Sequence, residues 1–354
     1  MTRDLNTTAA PREGEQLDAE RLSAYLQGKL PHGFERIEVE QFPAGHSNLT
    51  YLVRVDAHEY VLRRPPFGTK VKSAHDMGRE FRVLSHLNPV YRPAPRPLLF
   101  CEDPEVMGAP FYLMERRRGL VIRKTLPENI AQSPELCRKL SYAFIDNLVA
   151  LHAINLESAG LAGFGKPEGY VRRQIEGWTR RWAESKTDEV PEMDELSSWL
   201  AGRMPAESGA SIIHNDYKFD NVIVDPDDVT KITGVLDWEM ATVGDPLMDL
   251  GTALSYWIDA TDPQEFQALR FSPTCLAGFP SRAEILDRYC SVSGREVPSP
   301  EYYYVYGIFK LAVILQQIYY RYVHGLTKDE RFAAFKESVA GLARQGVWAY
   351  NKGG

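Results

Sequence analysis

The stretch HNDYKFDN, residues 214–221, sets one His, one Lys, two Asp and two Asn between the apolar runs SII and VIV. Polar groups this dense suit either a solvated turn or a reaction site. VIV leads into DPDDVT, where Pro226 and the Asp residues signal a turn, and KITGVLD (231–237) runs back. A hairpin over this segment brings Asn221 and Asp237 to its open end, with Asp216 just ahead of it. Two carboxylates and a carboxamide supply hard oxygen ligands. Such a set suits Mg²⁺, which keeps several waters and takes one or two carboxylates together with phosphate oxygens.

The spacing His214-x-Asp216-x-Lys218-x-x-Asn221 matches a loop pattern of phosphoryl transfer, in which the Asp serves as base and the Asn as metal ligand. Asp216 is thereby assigned to an acceptor hydroxyl. Asn221 and Asp237 are assigned to the metal. His214 reads as a buried structural residue, and Asp220 takes no role. In GDPLMDLG (244–251), Asp249 is placed to accept hydrogen bonds from the loop backbone. Asp245, before Pro246, reads either as further support or as a helix cap.

The elements that must position these residues change period along the chain. Residues 1–16 are small and polar, with Pro11 and Gly14, and read as a disordered tail. An amphipathic helix over 17–30 follows, with Asp18 as cap. Then alternation of period two around Ile37, Val39, Leu52, Val53 and Val55, and in YVLRR (60–64), predicts an antiparallel meander. A helix over 73–87 ends at the Pro-rich YRPAPRP, and LLFCED and FYLMER read as two more strands. From about residue 117 helical patterns dominate: 133–152, 170–185, 193–200, 247–257, 282–291, 301–324 and 329–348, interrupted by short β-rich runs over 210–237. The expected fold class is α+β and bilobal. It comprises the tail (1–16), a small β-rich N-terminal lobe (17–116) and a larger, mostly helical C-terminal lobe (117–354).

Composition narrows the function class. The 354 residues are 44% hydrophobic and 25% charged, ordinary for a globular chain. A net charge of −7 argues against a general nucleic-acid or membrane-surface binder. The four cysteines (Cys101, Cys137, Cys275, Cys290) form no CxxC pair, and residues 1–16 have no apolar core of the length a signal peptide needs, so the expected location is cytoplasmic. The most apolar segment, 302–323, contains Lys310, Gln316, Gln317 and Arg321 and reads as a core helix rather than a membrane span.

Taken together, AGHSNLTYLV, YVLRRPP, IIHNDYKFDNVIVD and VLDWEMATVGDPLMDLG resemble the aminoglycoside phosphotransferase/choline kinase superfamily, which has the protein-kinase-like fold. The likeness is greatest to the kinase-like domain that stands ahead of some acyl-CoA dehydrogenases. It covers residues from about 20 to about 350, and no dehydrogenase part is expected within the chain. The resemblance implies ATP and Mg²⁺ as cofactors. It makes Lys218 the counterpart of the Lys that meets the transferring phosphate. A cation on the third strand should meet the nucleotide phosphates, and here Arg63 stands where Lys is usual. Arg neutralises phosphate too, but with a longer, planar group. Glu80 in GREFRVL would hold that cation. Gly45, Ser47 and Asn48 in PAGHSN would cover the phosphates, and the backbone of Met114, Glu115 and Arg116 would meet adenine.

The acceptor is sought in GYVRRQIEGWTRRW (169–182). Helical spacing puts Gln174, Trp178 and Trp182 on one face amid four Arg, which suits an acid or the phosphates of a thioester carrier. Arg173, Gln174 and Trp178 are the substrate-contact candidates; an ordinary amphipathic helix is the competing reading. The expected activity is ATP-dependent phosphorylation of a small-molecule hydroxyl, on a hydroxy acid or hydroxyacyl-CoA, by a monomer or homodimer. The alternatives are an aminoglycoside kinase and a pseudokinase-like binding module, the latter favoured by Arg63.

Overall fold

Period-two alternation folds the early part of the chain into one antiparallel sheet. In the computed structural model, residues 8–43, 48–67, 77–127, 130, 132–327 and 329–352 are described. By internal contacts the chain divides into two units. One takes Met1–Val121, Ala159–Leu161 and Asn221–Ala241, and the other Ile122–Ser158, Ala162–Asp220 and Thr242–Gly354.

In the first unit, β1 (Ile37–Gln41), β2 (Leu49–Val55), β3 (His58–Arg64), β4 (Pro97–Cys101) and β5 (Phe111–Glu115) pair in the order β1-β2-β3-β5-β4. Side chains alternate across a strand. Tyr60 and Leu62 of β3 therefore enter a core with Tyr51, Phe111 and Leu22 and Leu26 of α1 (Ala19–Leu26). Arg63 falls on the other face, where it meets Glu80 of α2 (Met77–Leu87). α3 (Pro104–Met107) is a single turn capped by Asp103.

Two expectations are corrected in this unit. Residues 8–16 of the expected tail are held: Ala9 exchanges backbone hydrogen bonds with Gln41, Arg12 N donates to Gln41 Oε1, and Tyr51 Oη donates to the carbonyl of Glu15. The edge of β1 would otherwise leave its backbone groups unpaired. Residues 1–7 lie outside the described ones. The hairpin β8 (Val222–Val224) and β9 (Ile232–Val235), expected within the helical lobe, groups instead with the first unit. There β8 pairs with β6 (Leu120–Val121), Val235 N donates to the carbonyl of Pro93 (2.8 Å), and Trp238 N donates to Glu80.

The second unit is helical: α4 (Pro134–His152), α5 (Tyr170–Ser185), α6 (Pro191–Gly202), α7 (Pro246–Ser255), α8 (Gln264–Leu269), α9 (Arg282–Ser293), α10 (Pro300–Val323) and α11 (Phe335–Lys352), with β7 (Ser211–Ile213) antiparallel to β10 (Thr242–Gly244). α10 packs against α5, α6, α7 and α11 and is buried along most of its length. Among the described residues no helix is long and apolar enough to cross a membrane.

α7 and α10 touch backbone to backbone. A Cβ on Gly251 would stand 2.1 Å from the carbonyl oxygen of Tyr303, and one on Gly307 would stand 2.2 Å from that of Gly251. Neither obstacle is a flexible side chain, so the helices must part to admit even a methyl group. Gly251→Ala is therefore expected to destabilise the chain by roughly 3 kcal/mol, at the upper end for overpacking. Gly202→Ala, which meets nothing within 4 Å, should cost little. Equal denaturation midpoints for the two variants would contradict this packing.

Candidate active site

The second unit contains most of the 214–221 loop. β7 is fully buried, and His214 follows it at zero exposure. The chain then turns through Asn215, which adopts a left-handed φ of 66°. Such a backbone is costly for a residue with a Cβ and persists only when neighbours enforce it. Asp249 enforces it. This carboxylate, wholly buried near the start of α7, accepts from His214 N (2.8 Å) and Asn215 N (2.6 Å). It also binds His152 Nε2 (3.1 Å), whose Nδ1 meets Tyr289 Oη (2.9 Å). Burial works to raise the Asp249 pKa; the hydrogen bond and charge of His152, with His214, outweigh it and hold the carboxyl below its ordinary value. Asp245 caps α7, accepting from Leu247 N and from Ser208.

The turn presents Asp216 with its side chain 16% exposed. Tyr256 Oη donates to Oδ1 (2.8 Å), and Lys218 Nζ lies 2.8 Å from Oδ2 and 3.0 Å from Oδ1. The backbone N of Asp216 donates to His214 Nδ1 (3.2 Å). Burial first, and then the Asp216 charge, raise the pKa of Tyr256, so it stays a proton donor. A carboxylate so held, yet reachable, can accept a hydrogen bond from a hydroxyl and then its proton. Asp220 Oδ1 is buried, burial raises its pKa, and Arg123 stands 3.9 Å from its other oxygen.

The first unit contains the other constellation. Arg63, 7% exposed, lies between acids. Its Nε is 3.3 Å from Glu80 Oε2, and its Nη2 is 2.8 Å from Asp237 Oδ1 and 3.8 Å from Glu239 Oε2. Glu80 also accepts from Trp238 N (3.2 Å), which ties α2 to the segment after β9. Burial raises the pKa of Glu80 against the pull of Arg63. For Arg63, burial is overcome by Glu80, Tyr112, Asp237 and Glu239, so its cation is secure. Asn48 Nδ2 donates to Glu239 Oε2 (2.6 Å).

Asn221 and Asp237 occupy the open end of the β8–β9 hairpin. Val222 faces Val235, and Leu236 N donates to the carbonyl of Asn221 (2.8 Å). Among the described residues no group of three or more His, Cys, Asp or Glu could hold a metal. One carboxylate and one carboxamide are hard oxygen donors, a set that fits Mg²⁺ only when phosphate oxygens and water complete the shell.

The remaining predicted residues separate. Gly45 and Ser47 lie outside the described residues. Met114 pairs with Val61 within the sheet. Glu115 N is committed to the carbonyl of Arg96, and the Arg116 side chain is paired with Glu59. Trp178 is buried, with Arg181 over its ring at 4.5 Å, and donates to Gln174 Oε1 (3.2 Å). Arg173 does not join them: its guanidinium binds the carbonyls of Lys166 and Glu168, ahead of α5. Sequence reasoning missed Tyr256 and Glu239 as direct partners of site residues. Tyr256 carries no local signal, whereas Glu239 stands two positions after Asp237.

A model of the family described as phosphotransferase enzyme family matches residues 38–285. Acyl-CoA dehydrogenase family member 11 of Pongo abelii is 34% identical over 94% of this chain, which spans 43% of that relative's length. Among solved structures, a Ralstonia eutropha JMP134 protein provisionally assigned as an aminoglycoside phosphotransferase is 30% identical, with a TM-score of 0.80 over 95% of this chain and 99% of its own. A mutant of aminoglycoside phosphotransferase APH(4)-Ia, in ternary complex with ADP and hygromycin B, shares the fold at 18% identity (TM-score 0.56; 88% of this chain, 96% of its own).

Asp249→Asn turns one acceptor into a donor facing other donors. It is expected to cost about 3 kcal/mol, the lower range for breaking a buried charged network. The sign of its pH dependence follows from the depressed carboxyl pKa. The stability it contributes is present above the unfolded value, about pH 4, and is lost as pH falls through the folded one. Denaturation of both forms at a series of acid pH values should show the difference shrinking below about pH 4.

Proposed function

The chain belongs to the phosphotransferase enzyme family, and from that premise we propose that it transfers the γ-phosphate of ATP to a hydroxyl of a small molecule. The α+β fold is the kinase-like one. The observation that carries the proposal is the grip on Asp216: Tyr256 and Lys218 orient its carboxylate on a loop whose backbone Asp249 holds. In this reading Asp216 accepts the hydrogen bond and then the proton of the acceptor hydroxyl, while Lys218 offers positive charge to the transferring phosphate. Arg63, kept in place by Glu80, neutralises nucleotide phosphate. Asn221 and Asp237 would hold Mg²⁺, which would supply charge neutralisation on the phosphate oxygens. Phosphoryl transfer asks the protein for placement and charge, and these residues supply both.

For the acceptor we propose an anion: a hydroxy acid or hydroxyacyl-CoA. Arg181 lies over the Trp178 ring, a cation unsuited to a polycationic aminoglycoside or to choline. The name of a relative, acyl-CoA dehydrogenase family member 11, is consistent with an acceptor of this class. The binding-module reading draws on the Arg63–Asp237 ion pair, which engages a proposed metal ligand with a cation.

An ATP-consumption screen over hydroxy acids, their CoA esters, aminoglycosides and choline-like amines separates these readings. Turnover is expected with the acids or esters, and nucleotide binding without turnover on any acceptor would favour the binding module. Asp216→Ala is expected to lower kcat by a factor on the order of 1,000 or more, with the Kd for MgATP nearly unchanged by calorimetry. Full activity in that variant would sink the assignment.

A further inference from the structure

Lys310 stands on α10, three residues beyond Gly307, with 1% of its surface exposed. Among the described residues no carboxylate pairs directly with its ammonium. Nζ instead donates to the backbone carbonyl of Asn215 at 2.6 Å. Asn215 Oδ1 is 3.4 Å away, Thr252 Oγ1 of α7 is 3.5 Å away, and the Trp178 ring centroid is 5.8 Å away. A buried lysine without a paired acid is costly to keep.

What it holds is a single residue. Asn215 has its N–H on Asp249 of α7 (2.6 Å), its carbonyl on Lys310 of α10, and its side-chain oxygen on Tyr170 of α5 (3.2 Å). Three helices thus fix the backbone N–H, the carbonyl and the side-chain oxygen of the left-handed residue that precedes Asp216. The carbonyl bound by Lys310 belongs to the peptide whose N–H is that of Asp216.

We propose that Lys310 is a positioning residue for the transfer: from α10 it fixes the Asn215–Asp216 peptide, and with it the direction in which the Asp216 carboxylate meets the acceptor. The proposal rests on the reading of Asp216 as the acceptor's base. A methionine of similar length would fill the same space without holding the carbonyl. A neutral lysine still donates a hydrogen bond but brings no charge toward Asp216. Burial draws the Lys310 pKa down to about 8, while Asp249 and Asp216 support the cation and Lys218 and Arg181 oppose it. Among the described residues, Tyr170 of α5, Tyr306 of α10 itself and His214, which shares Asp249 with Asn215, are further titratable groups around this cluster. Activity should accordingly decline as pH rises through about 8.

The test uses the full chain, MgATP and the fastest acceptor of the screen above, water included, with ADP release as the readout. Lys310→Met is expected to lower kcat roughly 10- to 100-fold, as loss of a supporting contact does, with the KM for MgATP within about twofold. The native profile should fall above about pH 8, a limb missing from the variant. A folded Lys310→Met protein with native kcat, beside an inactive Asp216→Asn, overturns the positioning role and leaves the proposed reaction standing. Native turnover in Asp216→Asn overturns both. Should Lys310→Met fail to fold, Lys310→Gln, a shorter donor, takes its place in the same assay: a kcat lowered roughly 10-fold or more with the KM for MgATP within about twofold supports the role, and native kcat overturns it.

Discussion

A carboxylate with no access to water organises the second unit. Asp249 belongs to α7, yet two of its three hydrogen-bond donors are backbone amides of the loop after β7, and the third is His152 at the end of α4. The cost of burying a charge is recovered only when all its lone pairs are used. That condition fixes where the loop can run. The left-handed turn at Asn215, the ion pair of Asp216 with Lys218 and the hydroxyl contact from Tyr256 all follow from the same placement.

The first unit reaches the opposite electrostatic arrangement. There a buried guanidinium, rather than a carboxylate, sits among three acids drawn from α2 and from the segment after β9. A lysine could offer one point of charge at a time, whereas the planar fork of Arg63 can address Glu80 through Nε and Asp237 through Nη2 together. Arg at this position thus has a structural use. It braces α2 against the hairpin, with Trp238 N–H on Glu80 as the second tie.

Local pattern made part of this legible. Turn chemistry in DPDDVT was enough to bring Asn221 and Asp237 to one end of a hairpin, because a hairpin's ends are set by its turn. Alternation was enough for β1, β2 and β3. The role of Asp249 followed from its place near the start of a helix just after the loop. What escaped depended on long-range contact. Nothing near Tyr256 in sequence announces that its hydroxyl reaches Asp216. Docking of residues 8–16 onto β1 required knowing that β1 is an edge. Arg173 was read with Gln174 and Trp178 as a substrate contact, but its long side chain turned back to carbonyls ahead of its own helix, at an N-terminus that Gly169 leaves without a side-chain cap. Lys310 was visible as a charge in an apolar run. A buried charge must have a partner, so the signal was present; the identity of the partner was not.

The crossing of α7 and α10 at Gly251 and Gly307 bears on the order in which the chain can fold. Asn215 donates its N–H to Asp249 of α7 and accepts from Lys310 of α10, 95 residues further along the chain. Contacts closed over so long a span are paid for in loop entropy before they return anything. A nascent chain that has emerged only through α9 therefore contains every residue of 214–221 but has no α10 against which to set the Asn215 turn. The Asn215 turn therefore gains its full set of hydrogen bonds only once α10 docks onto α7. A short polar segment in the middle of the sequence thus depends on whether α10, near the end of the chain, has found its place.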